Sequence, residues 1–305
     1  MKKTSGTIVF FGSGPVAAAS LEALAKSFQI ECVITKKRPP HHKEPAPVEE
    51  LAKKLGLNMS YANDKLELDK LVTSSNYKSH LGVIVDFGVI VSTRTIKSFK
   101  KGIVNSHFSL LPEWRGADPI TFSVLSGQEE TGVSLMLIVE NLDEGPLLAQ
   151  EKVPIPKTIT TPELTDELVK KSNQMLTKYL PDYLSGKLKP YSQPSDINAT
   201  YSRKLTKLDG AIDWNMRATA IERQIRAYSG WPGSRSTLLG KDTIITEAEV
   251  VDKTGVPGEV LRIDKQLVVC CGEKAINVLG LKPAGKSEMI GQAFLAGYGK
   301  HLDRF

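Results

Sequence analysis

Cysteine is scarce in this chain of 305 residues: Cys32, Cys270 and Cys271 are all there is. Three cysteines in these positions make neither a metal-ligand spacing nor an even disulfide set, which excludes a zinc module and a disulfide scaffold and fits a reducing compartment. Cys270 and Cys271 fall in an apolar, strand-like run, where buried thiols are expected. Long hydrophobic runs are missing too. Ile8–Phe11 is too short for the apolar region of a signal peptide, and no later stretch reaches bilayer length, so the expectation is a cytoplasmic protein with no membrane partner. No internal repeat or low-complexity tract is visible.

Charge of one sign is not in great excess either. The 40 Lys and Arg against 34 Asp and Glu leave +6, with a sequence pI of about 9.0. That balance permits a polyanionic partner such as RNA without requiring one. Residues 201–305 hold 16 Lys and Arg against 12 Asp and Glu, so this third carries +4 of the total. With 41% hydrophobic and 24% charged residues the composition is that of an ordinary globular protein, and the length suggests two domains.

What is present is an alternation of strand and helix signals. "TIVFF" (7–11) is followed by Gly-Ser-Gly-Pro and then Ala and Leu at helical spacing; "IECVIT" (30–35) leads through a Pro- and Lys-rich loop to "VEELAKKLGL". A polar helix near 65–77 precedes "LGVIVDFGVIV" (81–91), read as one strand. Continuous apolar runs of this kind suit parallel strands covered by helices on both faces. The expected fold is therefore α/β, a Rossmann-like doubly wound parallel sheet. After a helical stretch across 162–185, "SGKLKPYSQPSDINATYSRKLTK" loses periodicity and reads as a linker. Short strands beyond it suggest a small β-barrel-like domain. The expected boundaries are 1–188, a linker over 189–206, and 207–305.

Two motifs compete for the chemistry. Gly12-Ser13-Gly14-Pro15-Val16-Ala17 has the strand–turn–helix setting of a dinucleotide fingerprint. The second strand lacks the acidic residue expected at its end, however, and Pro15 removes a backbone N–H where a phosphate cradle needs donors. A plain tight turn is the default. The second motif is "NSHFSLLPEWRGADPI" (105–120), in which Asn105, Ser106 and His107 directly follow the apolar "GIV" and so stand at the carboxyl end of a strand. "VENLDEGPLLAQ" puts Asp143 in a turn after the next strand, read as reaching the same sheet edge. An amide N–H and an imidazolium can stabilise negative charge on a carbonyl oxygen, and a carboxylate can orient the imidazole and take a proton from an amine. Those are the needs of acyl transfer to an amine, with no covalent nucleophile. Ser106 and Ser109 lie in no Gly-x-Ser-x-Gly elbow.

This segment, with "LDEGPLLAQ", resembles the signature of the folate-dependent formyltransferases. The Trp-Arg-Gly-Ala form, "LDGAIDW" (208–214), "RAYSGWPGS" (226–234) and "LKPAGKSEMIGQAFLAG" near the C-terminus make it similar to the branch that acts on methionyl-tRNA. The resemblance runs through both domains. It implies a Rossmann-like catalytic domain followed by an OB-like β-barrel that contacts tRNA, 10-formyltetrahydrofolate as donor, and initiator methionyl-tRNA as acceptor. Asn105, His107 and Asp143 match the catalytic positions. Ser109, Leu110, Leu111 and Pro112 match the folate-site tetrapeptide, and Asp86, Phe87, Gly88, Val89 and Ile90 the segment whose backbone lines the pterin pocket. A family insert that reaches toward tRNA corresponds to a shorter basic loop here, with Lys36, Lys37, Arg38 and Lys43 as candidate phosphate contacts. Glu113, Asp118 and Glu144 depart from the usual residues. No metal is expected. One active site per chain needs no partner subunit, so a monomer is expected. A sugar-nucleotide N-formyltransferase with the same donor and triad is the alternative; a non-catalytic RNA-binding module is the third reading.

Overall fold

The computed structural model describes residues 6–38, 46–195, 198–299 and 302. The chain divides into two compact units: the first gathers the residues through Ala117, Glu130–Pro154 and Asp166–Ser202, and the second Asp118–Glu129, Ile155–Thr165 and the chain from Arg203 on.

In chain order the first half holds β1 (Thr7–Phe11), α1 (Pro15–Ser27), β2 (Gln29–Thr35), α2 (Pro47–Lys54), β3 (Met59–Tyr61), α3 (Lys65–Ser74), β4 (Leu81–Ile84), α4 (Thr93–Lys97) and β5 (Ile103–His107). There follow β6 (Arg115–Gly116), α5 (Pro119–Ser126), β7 (Glu130–Leu137), β8 (Leu147–Pro154), α6 (Thr161–Ser185) and β9 (Tyr201–Ser202). Helix starts obey their first-turn chemistry. Pro15 and Pro47 sit where a missing N–H costs nothing, and the Asp64 carboxylate accepts the Leu66 and Glu67 N–H groups at the head of α3.

Seven strands of the first unit form one sheet in the order β3-β2-β1-β4-β5-β7-β8. The chain moves outward from β1 through β2 to β3, then returns to the other side of β1 with β4 and β5, all parallel. That reversal is the place where doubly wound sheets open a crevice beyond their strand ends. Val9, Phe11, Ile34, Phe99 and Ile103 pack into one buried cluster, with Phe11 edge-on to Phe87 and Phe99 at centroid separations of 5.8 and 5.9 Å. Each large side chain so buried contributes about 1.5–3 kcal/mol.

The expected doubly wound sheet is present, parallel over β3-β2-β1-β4-β5, and it ends in β7, which runs antiparallel to both β5 and β8. The run 81–91 is not the one strand expected: β4 stops at Ile84, since Asp86 (φ 46°) and Gly88 (φ 66°) take left-handed backbone that no strand can continue through.

The second unit contains α7 (Ala218–Ala227), β10 (Ser234–Leu238), β11 (Lys241–Val251), β12 (Val260–Ile263), β13 (Gln266–Cys270), β14 (Ala275–Pro283), β15 (Met289–Ile290) and α8 (Gly291–Tyr298). Its antiparallel sheet runs β10-β11-β14-β13-β12, with β15 on β14. Register shifts between Ile245 and Ala248 bend the long β11, the usual device by which such a sheet curls. Ile221, Ile225, Ile245, Leu267, Val269, Ile276 and Phe294 form its core. Cys270 and Cys271 are buried and free, and burial pushes the Cys271 thiol up to about 11, which keeps it unreactive. Among the described residues no helix is long and apolar enough to cross a membrane.

Candidate active site

Alternation along β5 places Asn105 and His107 on one face of the sheet and Ser106 on the other. Register pairs Asn105 with Met136 and His107 with Ser134, so these four side chains share a face. Ser106 points away, its hydroxyl 2.7 Å from Ser172 Oγ on α6. His107 is 5% exposed. Its Nε2 lies 2.9 Å from the Trp114 carbonyl oxygen, and because a carbonyl only accepts, that nitrogen carries a proton. Nδ1 faces Asp143 Oδ2 at 3.7 Å, an ion-pair separation too long for a hydrogen bond. Asn105 is half-buried, and its carboxamide makes no hydrogen bond among the described residues. The arrangement is a ring clasped between a carbonyl and a carboxylate, two positions along the strand from an amide with its N–H groups to spare.

Asp143 reaches this face by a route the sequence reading did not foresee. That reading brought it to the carboxyl edge by way of a parallel strand. Since β7 is antiparallel, its last residue Leu137 lies beside Val104 near the start of β5, and the loop that follows returns along the sheet to bring the carboxylate to His107. Asp143 itself has φ 54°, and its Oδ2 accepts the Gly116 N–H at 2.8 Å. Gln193 donates from Nε2 to the carbonyls of Asp143 at 2.7 Å and Gly145 at 2.9 Å. Arg115 reaches Glu144 Oε1 with Nη1 at 3.0 Å and Gln193 Oε1 with Nη2 at 2.8 Å. At the neck of the loop, a Cβ on Gly145 would overlap the Leu137 carbonyl oxygen, and backbone there cannot step aside. Gly145→Ala is expected to lower the melting temperature by roughly 5 °C or more, read by differential scanning calorimetry; an unchanged transition would show that the loop is not held this tightly.

The tetrapeptide Ser109–Pro112 is held largely by its backbone. Ser134 Oγ donates to the Ser109 carbonyl at 2.6 Å and accepts the Leu111 N–H at 3.0 Å, and Gln150 Nε2 donates to the Leu111 carbonyl at 2.8 Å and to Ser134 Oγ at 2.9 Å. The Leu111–Pro112 peptide is cis, and Leu111 packs with Met136 and Leu147, leaving Leu110 half-buried. In the segment 86–90, Phe87 and Val89 turn into the core cluster while Ile90 is 76% exposed. Main chain, Ile90 and the exposed Asp86 therefore remain to meet a ligand.

The basic loop is dispersed. Lys36 is half-buried with Nζ 3.9 Å from where a Cβ on Gly88 would stand, which sets it beside the 86–90 segment. Lys37 and Arg38 are exposed and line an open cleft of about 450 Å³ with Glu49, Lys53 and Tyr61. Lys43 lies outside the described residues. The Gly12-Ser13-Gly14 turn closes on the protein itself: Gly12 N–H goes to Ile34 O and Ser13 N–H to Asp86 O, and a Cβ on Gly14 would run into the Asp86 carboxylate. A carboxylate at the start of α1 occupies the place where a pyrophosphate would sit. Among the described residues no cluster of His, Cys, Asp and Glu could hold a metal ion.

Of the stretch 189–206, read as linker, Tyr191, Gln193 and residues 200–202 lie against the site. Tyr191 bridges to Leu147, Thr200 Oγ1 accepts the Trp114 N–H at 2.8 Å, and β9 pairs with β6. Gln193, Thr200, Ser134 and Gln150 escaped the sequence reading because isolated polar side chains bonding to main chain leave no periodic signal; only the alternation of β7 and β8 could have paired Ser134 with Gln150. Two of the departures have structural partners, Glu144 in Arg115 and Asp118 in the Leu205 N–H, which its Oδ2 accepts at 3.1 Å.

A model described as formyl transferase matches residues 6–180, and one described as formyl transferase, C-terminal domain, matches residues 204–299. Among curated proteins, a methionyl-tRNA formyltransferase of Listeria innocua is 33% identical over 308 residues, covering 97% of this chain and 97% of that protein. One of Methylococcus capsulatus is 35% identical, covering 94% and 96%. Among solved structures, WlaRD, a sugar 3N-formyl transferase crystallised in the presence of dTDP and 5-N-formyl-THF, superposes with TM-score 0.70 at 20% identity over 92% of this chain and 99% of its own. HypX from Aquifex aeolicus in complex with tetrahydrofolic acid gives 0.66 at 16% over 96% of this chain, which spans 47% of HypX. At such identities these two likenesses bear on fold alone.

Proposed function

The chain belongs to the formyl transferase family, and from that premise we propose that it transfers a formyl group from 10-formyltetrahydrofolate to the free amine of methionyl initiator tRNA. Relatives of 33–35% identity over nearly the whole length carry the name methionyl-tRNA formyltransferase, and a folate donor agrees with the like-folded HypX, solved with tetrahydrofolic acid, and WlaRD, solved in the presence of 5-N-formyl-THF. The observation that carries the chemistry is the trio on one sheet face: a carboxamide without a hydrogen-bond partner among the described residues, a buried imidazole and a carboxylate 3.7 Å from it.

The donor supplies a formyl group on an amine nitrogen. Asn105 Nδ2 offers its N–H to the formyl oxygen as the acceptor amine attacks and negative charge grows there. His107 contributes positive charge at the same place; its Nε2–H stays on the Trp114 carbonyl, which fixes the ring. Asp143 faces Nδ1 and takes the proton that the attacking amine gives up as the new C–N bond forms; collapse of the intermediate breaks the bond between the formyl carbon and the folate N10, and that proton passes to the departing nitrogen, so tetrahydrofolate leaves neutral. Ser109–Pro112 and Asp86–Ile90 border the donor, while Lys36, Lys37, Arg38, Lys43 and the C-terminal domain, 207–305, meet the tRNA phosphates. The enzyme works in this reading as a cytoplasmic monomer.

Purified protein incubated with 10-formyltetrahydrofolate and either methionyl initiator tRNA or a panel of amino-sugar nucleotides is expected to formylate only the tRNA. Three phosphate contacts alone raise KM for tRNA roughly 20- to 40-fold between about 50 and 200 mM salt through counterion release. Formylation of a sugar nucleotide with a salt-insensitive KM would move the assignment to that branch, and tRNA binding with no formyl product to a non-catalytic module.

A further inference from the structure

We propose that Gln193 is a positioning residue for Asp143, acting through main chain rather than by touching substrate; the inference rests on the catalytic reading of Asp143 given above. Asp143 holds left-handed backbone at φ 54°, a conformation that a residue with a side chain keeps only when its surroundings impose it. Among the described residues its carboxylate has one N–H donor, that of Gly116, so its aim at His107 depends on where the loop is pinned.

Gln193 pins it from both sides of the turn. The two hydrogens of Nε2 are spent on two carbonyls, Asp143 at 2.7 Å and Gly145 at 2.9 Å, and Oε1 accepts from Arg115 Nη2 at 2.8 Å. Those partners settle the orientation of the amide, since a flipped group would set its oxygen against two carbonyls and its NH2 against a guanidinium. Arg115 is followed in the chain by Gly116, whose N–H holds the Asp143 carboxylate. The contacts thus close a ring: Arg115 to Gln193, Gln193 to Asp143, Asp143 to Gly116, and back along one peptide bond. Arg115 also grips Glu144, the residue between the two pinned carbonyls, at 3.0 Å. Through this ring a residue from the stretch that lacked periodicity sets where the carboxylate stands relative to His107.

A purely structural staple and a positioning residue differ in what they do to kcat. Gln193→Ala removes every contact; Gln193→Glu keeps size and the acceptor for Arg115 but replaces both donors with oxygen facing carbonyls. Single-turnover and steady-state formylation are measured at a temperature below the melting of each variant, beside D143N and the double variant Q193A/D143N. Misplacing a reacting group by about 1 Å costs on the order of 100-fold, so both Gln193 variants are expected to lose roughly 30- to 100-fold in kcat with either KM moving less than about threefold. Adding Q193A to D143N is expected to cost less than about threefold more, because the two act as one unit. Wild-type kcat in Q193E, or a full multiplicative loss in the double variant, overturns the proposal while D143N remains impaired. Wild-type kcat in D143N itself would instead sink the catalytic reading of Asp143, and this inference with it.

Discussion

His107→Ala is expected to lower kcat for formyl transfer by about 100- to 1,000-fold while leaving both KM values within a factor of about three. The ring is 5% exposed, so the charge it lends to the growing oxyanion acts through protein rather than water, where the same charge is worth several times less. That charge matters only once the oxygen turns negative, which is why the loss falls on kcat. Alanine also strips the Trp114 carbonyl of its Nε2–H donor, and a part-buried acceptor that loses such a donor costs about 1 kcal/mol or more of stability. Rates are therefore compared below the variant's melting temperature, by quench-flow with donor in excess. A variant forming formylated product at more than about a third of the wild-type rate would remove His107 from the chemistry.

The sequence made Asn105 and His107 legible together because they sit two apart on a short strand: the apolar run that ends at the triplet also fixes which side chains share a face. The alternation of runs likewise led to the sheet, and the lack of an acid after β2 to a turn that binds no dinucleotide, a reading in keeping with the Asp86 carboxylate packed on Gly14. What was not legible depends on direction and on single contacts. An apolar strand reads the same whether it lies parallel or antiparallel, so the reversal at β7, and with it the long return of the loop to Asp143, left no mark in composition. The break after Ile84 hid in a continuous apolar run, because the side chains there give no sign of the left-handed backbone at Asp86. Gln193 and Thr200 stay hidden for the opposite reason: they lie in a stretch whose polarity reads as linker, although each meets the loop and turn that bear the site through three hydrogen bonds.

The trio also separates into parts with different exposure to mutation. His107 and Asp143 are both buried and tied to main chain, through Trp114 and Gly116, so substitutions there disturb folding as well as rate. Asn105 is half-buried, and among the described residues its carboxamide is tied to nothing. A polar group that stands free beside a buried ion pair contributes little to stability, and its substitution reports on catalysis almost alone.

Asn105→Asp is for that reason the most damaging conservative change expected in the protein. It keeps the shape of the side chain, replaces the N–H donor with an oxygen, and adds a second carboxylate on the face that already holds Asp143. Loss of one oxyanion donor costs about 100- to 1,000-fold in kcat, which is the expectation for Asn105→Ala. The aspartate adds repulsion toward the same developing charge and partly cancels the field of His107, so its kcat is expected to fall by more than about 1,000-fold at neutral pH, below the alanine variant. Because a carboxyl group near another is harder to ionise, lowering the pH protonates the new side chain and returns an O–H donor to the site; the ratio of Asn105→Asp to wild-type rate therefore rises as pH falls from about 8 toward 5. The alanine variant has no such proton to gain and its ratio stays flat. The decisive measurement is the ordering of the two variants across pH, with melting temperatures within a few degrees of wild type. If the aspartate runs faster than the alanine at neutral pH, the carboxamide is not facing developing negative charge and the direction of the proposed chemistry at β5 is wrong.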